Sequence, residues 1–244
     1  MAVISDVRDI RTSIIVIIIN SYCSFFPIRR NEVIMQQITI ITQYFHPHHG
    51  ATSQLMTDLA KGFSDLGYTM NIFTGTQAKK TTPKSLNTIN INRAFSPIKS
   101  STSIYSKIIS SIFFLLGALW YVIFSIPRNT TLLIVSNPPY AGVLAIFFKI
   151  IYKGKYHFLL QDIFPESAAM SGIMKENSIL YKFLAKLIYL TYKYSECIIV
   201  LSTSMQEFIE KKYPDLKSQI KVIENWSIED IPNVSKQENQ FAQE

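Results

Sequence analysis

Residues 38–53 read Ile-Thr-Ile-Ile-Thr-Gln-Tyr-Phe-His-Pro-His-His-Gly-Ala-Thr-Ser. The opening, Ile38–Thr42, is a short apolar run rich in β-branched residues, the pattern of a buried strand. It ends at Tyr44-Phe45-His46-Pro47, where proline stops the ladder. Residues 51–66 then place Leu55, Leu59, Phe63 and Leu66 on one helical face, with Thr52 or Ser53 to cap the start and Gly67 the end. A buried strand, a turn and an amphipathic helix in that order form one unit of an α/β layer.

The unit repeats along the chain. Thr69–Thr74 reads as a second strand closed by Gly75, and the polar residues 76–88 as a surface loop. Asn90–Ala94 is a third, weaker strand. Leu132–Ser136 is a fourth, stopped by Asn137-Pro138-Pro139, with a helix over 140–152 behind it. Tyr156–Gln161 is a fifth. A helix over 178–194 leads to a sixth, Ile198–Ser202, and a short helix over 205–212 leads to a seventh, Ile220–Ile223. Strands alternating with helices at this spacing predict a doubly wound, mostly parallel sheet of about seven strands, Rossmann-like in its winding.

Composition agrees with a large core. Of the 244 residues, 48% are hydrophobic and 17% charged, which excludes wholesale disorder. The net charge of +7 suits an anionic partner such as lipid headgroups or a nucleotide diphosphate. A nucleic acid is not expected, because no basic run is interleaved with stacking aromatics. Cys23 and Cys197 are too scattered for a disulfide framework or a metal site, which points to a reducing compartment. Residues 1–34 stand apart. Ile14–Ile19 is too short to span a bilayer, and the mixed charges before it are not those of a signal peptide. The reading is that Met35 is the natural start or that residues 1–34 are a poorly ordered extension. The domain is expected over 35–230 and a linker from 231.

The stretch Ile104–Ile126 carries one charge, Lys107. Three readings stay open: a buried crossover helix, a helix lying in the membrane surface with Trp120 and Tyr121 at headgroup level, or a true span. Residues 178–194 interleave Phe183, Leu184 and Leu187 with Lys182, Lys186 and Lys193. That suits an anionic bilayer surface, or equally an ordinary amphipathic helix with solvated lysines.

In a doubly wound sheet, ligands sit beyond the carboxyl ends of the strands. The first such end is either a plain strand-to-helix turn or a ligand site, where Gly50 allows close approach to its backbone and the free N–H groups of Gly50-Ala51-Thr52 favour a diphosphate. His46, His48 and His49 lie in the same turn, with no acidic or thiol ligand near enough in sequence to make a metal site. Ser136-Asn137-Pro138-Pro139-Tyr140 is a rigid turn, either plain or shaping an acceptor pocket. Asp162 and Glu166 are two carboxylates just outside the sheet. They fit sugar positioning or proton handling, or else helix capping by Glu166. Ser202-Thr203-Ser204 reads as a cap.

Together these segments resemble the N-terminal half of family 4 glycosyltransferases, the WbuB-like enzymes of bacterial surface-polysaccharide assembly. The resemblance runs from Tyr44-Phe45-His46-Pro47 and Gly50-Ala51, through Phe73-Thr74-Gly75, Ser136-Asn137-Pro138-Pro139 and Asp162-Ile163-Phe164-Pro165-Glu166-Ser167. It ends at Val200-Leu201-Ser202 and Ile220-Lys221-Val222-Ile223-Glu224-Asn225-Trp226. It implies a GT-B fold of two Rossmann-like domains facing a cleft, and transfer from a nucleotide-sugar donor with retention of configuration. The acceptor is a lipid-linked sugar or polysaccharide, and no cofactor is needed. Asp162 and Glu166 would then be catalytic; Gly50, Ala51 and Thr52 would face the donor diphosphate; His46, His49, Asn137, Pro138 and Tyr140 would line the acceptor side. The expected place of work is the cytoplasmic side of the inner membrane. The family marks its second domain with two glutamates eight positions apart, and no such pair occurs here. A separate C-terminal half is therefore an expected partner, and the chain alone is expected to be nearly inactive. The competing readings are a non-catalytic membrane-surface module for a lipid-linked sugar, and a small integral membrane protein anchored by 104–126.

Overall fold

The structure, a computed structural model, describes residues 37–75, 86–96 and 104–226. The expectations for residues 1–34 and for a linker from 231 lie outside the described residues, as does most of the loop expected over 76–88. Seven strands form one sheet: β1 Gln37–Thr42, β2 Thr69–Thr74, β3 Ile89–Arg93, β4 Thr130–Val135, β5 Tyr156–Leu160, β6 Cys197–Val200 and β7 Ile220–Val222. Their order is β3-β2-β1-β4-β5-β6-β7, and every neighbouring pair is parallel. This is the doubly wound sheet that the strand and helix alternation predicts.

The central strands read as continuous apolar runs because both of their faces are covered. In β1, Ile41 belongs to the core on one side, and Ile38 and Ile40 to the core on the other. Right-handed crossovers decide which helix lies where. The step from β1 to β2 moves one way across the sheet, and all later steps from β3 to β7 move the other way. Helix α1 (Ala51–Asp65) therefore covers one face, and α2 (Ile104–Phe124), α3 (Gly142–Tyr152), α5 (Ile179–Tyr194) and α6 (Thr203–Lys212) cover the opposite face. Between β5 and α5 the chain makes one short helix, α4 (Glu166–Met170).

Helix α2 connects two strands of the same sheet and packs Phe114, Ala118, Tyr121 and Val122 into its core. A true span is incompatible with that position, whereas the crossover reading fits. Tyr121 stacks on Phe73 at 4.8 Å, so it lies in the core and not at a headgroup level. Gly117 permits the close packing, since a Cβ there would lie 3.2 Å from the Ala94 Cβ.

Three local expectations change. Leu66 falls outside α1 and is partly exposed. Neither Thr52 nor Ser53 caps α1: the N-cap is Gly50, with no side-chain hydrogen bond. Gly67, at φ 88°, does end the helix, as only glycine readily does there. Cys197 is disulfide-bonded, against the expectation that the two scattered cysteines form no disulfide framework.

Candidate functional site

The sheet reverses its winding between β1 and β4, so the loops that follow these two strands leave toward opposite faces. A crevice opens between them at the carboxyl edge. Backbone hydrogen bonds hold its floor. Gln43 N–H donates to the Asn137 carbonyl at 3.1 Å, and Gly75 N–H donates to the Gln43 carbonyl at 3.1 Å. Gly75 is glycine for a packing reason: a Cβ would lie 2.7 Å from that same carbonyl oxygen.

On one side of the crevice runs the turn from Tyr44 to Thr52. His46 N–H donates to the Thr57 hydroxyl at 3.2 Å, and Arg93, at the end of β3, donates to the His46 carbonyl at 2.6 Å. The Tyr44 and His48 rings lie 4.5 Å apart. Burial first, and then the charges of Lys61, Arg93 and His49, push the His46 pKa below its ordinary value. Burial and His49 do the same to His48. Lys61 and Arg93 make the turn electropositive, at the N-terminus of a 15-residue helix that no side chain caps. Gly50 has no packing reason of its own, because the nearest atom to an added Cβ would be His48 Nδ1 at 3.7 Å.

On the other side stand the loops after β4 and β5. Gln161 N–H donates to the Ser136 hydroxyl at 2.8 Å, which ties the two strand ends together. The Thr52 hydroxyl donates to Gln161 Oε1 at 2.9 Å. This one bond joins the Gly50 turn to the Asp162 turn, so both open on the same rim. Three X-Pro bonds on this rim, His46-Pro47, Asn137-Pro138 and Phe164-Pro165, are cis.

The predicted site residues separate into groups. Asp162 is exposed beside Gln161, and its carboxylate has no partner among the described residues. Glu166 starts α4, but its carboxylate pairs with Lys212 on α6 and accepts from the Tyr181 hydroxyl at 3.4 Å. It thus ties α4 to α5 and α6. Pro138 is buried in the floor, and Asn137 is half-buried. Burial raises the pKa of Tyr140, although a hydrogen bond with Ser111 works the other way. His49 and Ala51 are exposed at the turn. Ser202 is a cap, its hydroxyl accepting from Met205 N–H at 3.2 Å. Among the described residues no group of three or more His, Cys, Asp or Glu side chains is arranged to hold a metal.

Sequence reasoning passed over Gln43, Arg93, Ser110, Ser111 and Gln161. Gln43 Nε2 donates to Ser111 Oγ at 3.1 Å, and the hydroxyls of Ser96 and Ser110 lie 3.4 Å apart. These contacts bring the N-terminal half of α2 to the rim. The available signal was the pair of serines inside an otherwise apolar run.

No protein-family description matches the chain. Over 75 residues it is 31% identical to the "Probable glycosyltransferase WbjE" of Pseudomonas aeruginosa, a stretch that covers 31% of this chain and 18% of that protein. The fold is similar to that of sucrose-phosphate synthase from Thermosynechococcus elongatus, with a TM-score of 0.56 at 10% identity over 78% of this chain and 48% of the synthase. In both comparisons the chain spans less than half of the other protein's length. The structural likeness speaks to fold alone: an α/β, Rossmann-like parallel sheet with flanking helices. The sequence similarity is weak and confined to those 75 residues, and within them the chain resembles a probable glycosyltransferase.

Proposed function

We propose that this chain is the acceptor-side domain of a retaining, nucleotide-sugar-dependent glycosyltransferase of the GT-B kind and of family 4. It would act in surface-polysaccharide or lipopolysaccharide assembly on the cytoplasmic face of the inner membrane. The observation that carries the reading is the Thr52–Gln161 hydrogen bond. It sets an exposed carboxylate, Asp162, on the same rim as an uncapped helix start among Lys61, Arg93 and the histidine turn.

The chemistry follows from that arrangement. The donor diphosphate leaves as an anion, and the N–H groups of Ala51 and Thr52 with the nearby cations stabilise negative charge. Gly50 leaves room for the diphosphate to approach the backbone. Asp162 holds a sugar hydroxyl or takes its proton, while Asn137, Pro138, Tyr140, His46 and His49 form the acceptor wall. Glu166 is a positioning residue in this scheme, because Lys212 and Tyr181 occupy its carboxylate. Transfer needs donor and acceptor held together, so a second domain or a separate C-terminal half supplies the opposite wall.

The test is incorporation of labelled sugar from nucleotide sugars into lipid extracts of membranes. Cells that carry the intact gene are compared with cells that carry Asp162→Asn at equal protein level. The expected result is a loss of about 100-fold or more. Undiminished incorporation with Asp162→Asn would refute the reading.

A further inference from the structure

Helices α2, α3 and α5 form one layer, with α3 packed between the other two. The inner side of that layer is the core. Its outer side is apolar as well. Leu116, Trp120 and Phe124 recur every fourth residue along α2 and are 60%, 65% and 65% exposed. Ile150 on α3 and Ile179 and Phe183 on α5 are also exposed. Among the described residues α2 is the one helix long and apolar enough to cross a membrane, yet only 22% of its most apolar window is buried. A helix that served only as a core crossover would hide its apolar residues and show polar ones to water. An exposed apolar surface on this scale marks an interaction site.

The charges select the occupant. No Asp or Glu occurs in any of the three helices, while Lys107, Lys149, Lys182, Lys186 and Lys193 do. Glu196, just beyond α5, is neutralised by Lys149 at 3.0 Å, and Glu176 lies ahead of α5. By contrast α1, on the other face, carries Asp58 and Asp65. Lysines around an apolar face bearing Trp120 match an anionic bilayer surface, where apolar residues enter the acyl boundary and ammonium groups meet phosphates. A symmetric second copy fits less well, since it would set each lysine face against its own like charges.

We propose that the outer face of α2, α3 and α5 docks this domain onto an anionic lipid bilayer, lying on it without crossing it. Because Ser111 ties α2 to Gln43, docking sets the carboxyl rim beside the headgroups. Delivery of a lipid-linked acceptor from that surface rests on the transferase reading, but the docking itself does not.

The test uses the full chain and vesicles of phosphatidylcholine, alone or with about one third phosphatidylglycerol. Four results are expected. The chain sediments with the mixed vesicles, and less so at high salt. In a Trp226→Phe background the emission of Trp120 shifts to the blue when vesicles are added. The Leu116→Glu/Trp120→Glu variant partitions at least about tenfold more weakly, with an unchanged circular dichroism spectrum, because both side chains are exposed. The Lys182→Glu/Lys186→Glu variant loses the preference for anionic vesicles. The proposal is overturned if the chain stays in the supernatant or if either double variant behaves like the parent. It is equally overturned if lipid-free protein is a dimer whose Trp120 emission is already blue-shifted. Failure here leaves the Asp162→Asn measurement, and the transferase reading, standing or falling separately.

Discussion

A methyl group added at Gly75 would lie 2.7 Å from the backbone oxygen of Gln43, while one added at Gly50 would meet nothing nearer than 3.7 Å. The first contact is with main chain just beyond β1, pinned by the Gln43 N–H bond to the Asn137 carbonyl and the Gly75 N–H bond to the Gln43 carbonyl, so it cannot easily step aside. Gly75→Ala should therefore cost about 1–3 kcal/mol and lower the Tm by about 3–10 °C. Gly50→Ala should stay within about 1 kcal/mol of the parent in the same thermal melt. Equal destabilisation by the two substitutions would remove the ground for treating Gly50 as a ligand-facing glycine. Both glycines stand out in the sequence as strand-end residues. Which one the fold itself requires was not legible there, because the crowding atom at Gly75 belongs to Gln43, far away in the chain. Thr52 makes the same point: its hydroxyl looks like a cap locally, but it serves a partner 109 positions away.

At the scale of elements, the helix ends divide into two kinds. The N-termini of α5 and α6 are capped by hydroxyls: Ser178 accepts from Tyr181 N–H at 3.1 Å, and Ser202 from Met205 N–H at 3.2 Å. The N-terminus of α1 is not capped by any side chain. Ser178→Ala and Ser202→Ala should each cost about 1 kcal/mol in chemical denaturation. No change in either would mean that water replaces these caps at no loss. Caps of this kind are readable from sequence because they act within three residues. The helix over 104–126 was less readable. Its inner side is an ordinary core stripe, its outer side is equally apolar, and periodicity weakens when both sides are hydrophobic. The serine pair at 110–111, which fixes its upper end to the rim, hardly interrupts that run.

Across the whole molecule, stability is graded from the centre of the sheet to its edges. β1 and β4 are flanked on both sides and buried almost throughout, whereas β3 alternates buried with exposed residues and β7 has three residues. Hydrogen exchange should show the amides of β1 and β4 opening only with global unfolding, and those of β3 and β7 opening sooner. Uniform protection across the seven strands would contradict that grading. The chain closes on itself beyond β7, where the Trp226 indole donates to Asp58 on α1 at 2.7 Å. The sequence by itself determined the alternation of strands and helices and the placing of unusual residues at strand ends. Both are written in near-neighbour patterns of hydrophobicity and turn chemistry. Only the tertiary structure decided that the Gly50 and Asp162 turns share a rim, that Glu166 is engaged by Lys212, and that three helices line up one exposed apolar face. Each of these depends on contacts between segments whose separation in the chain says nothing of their distance in space.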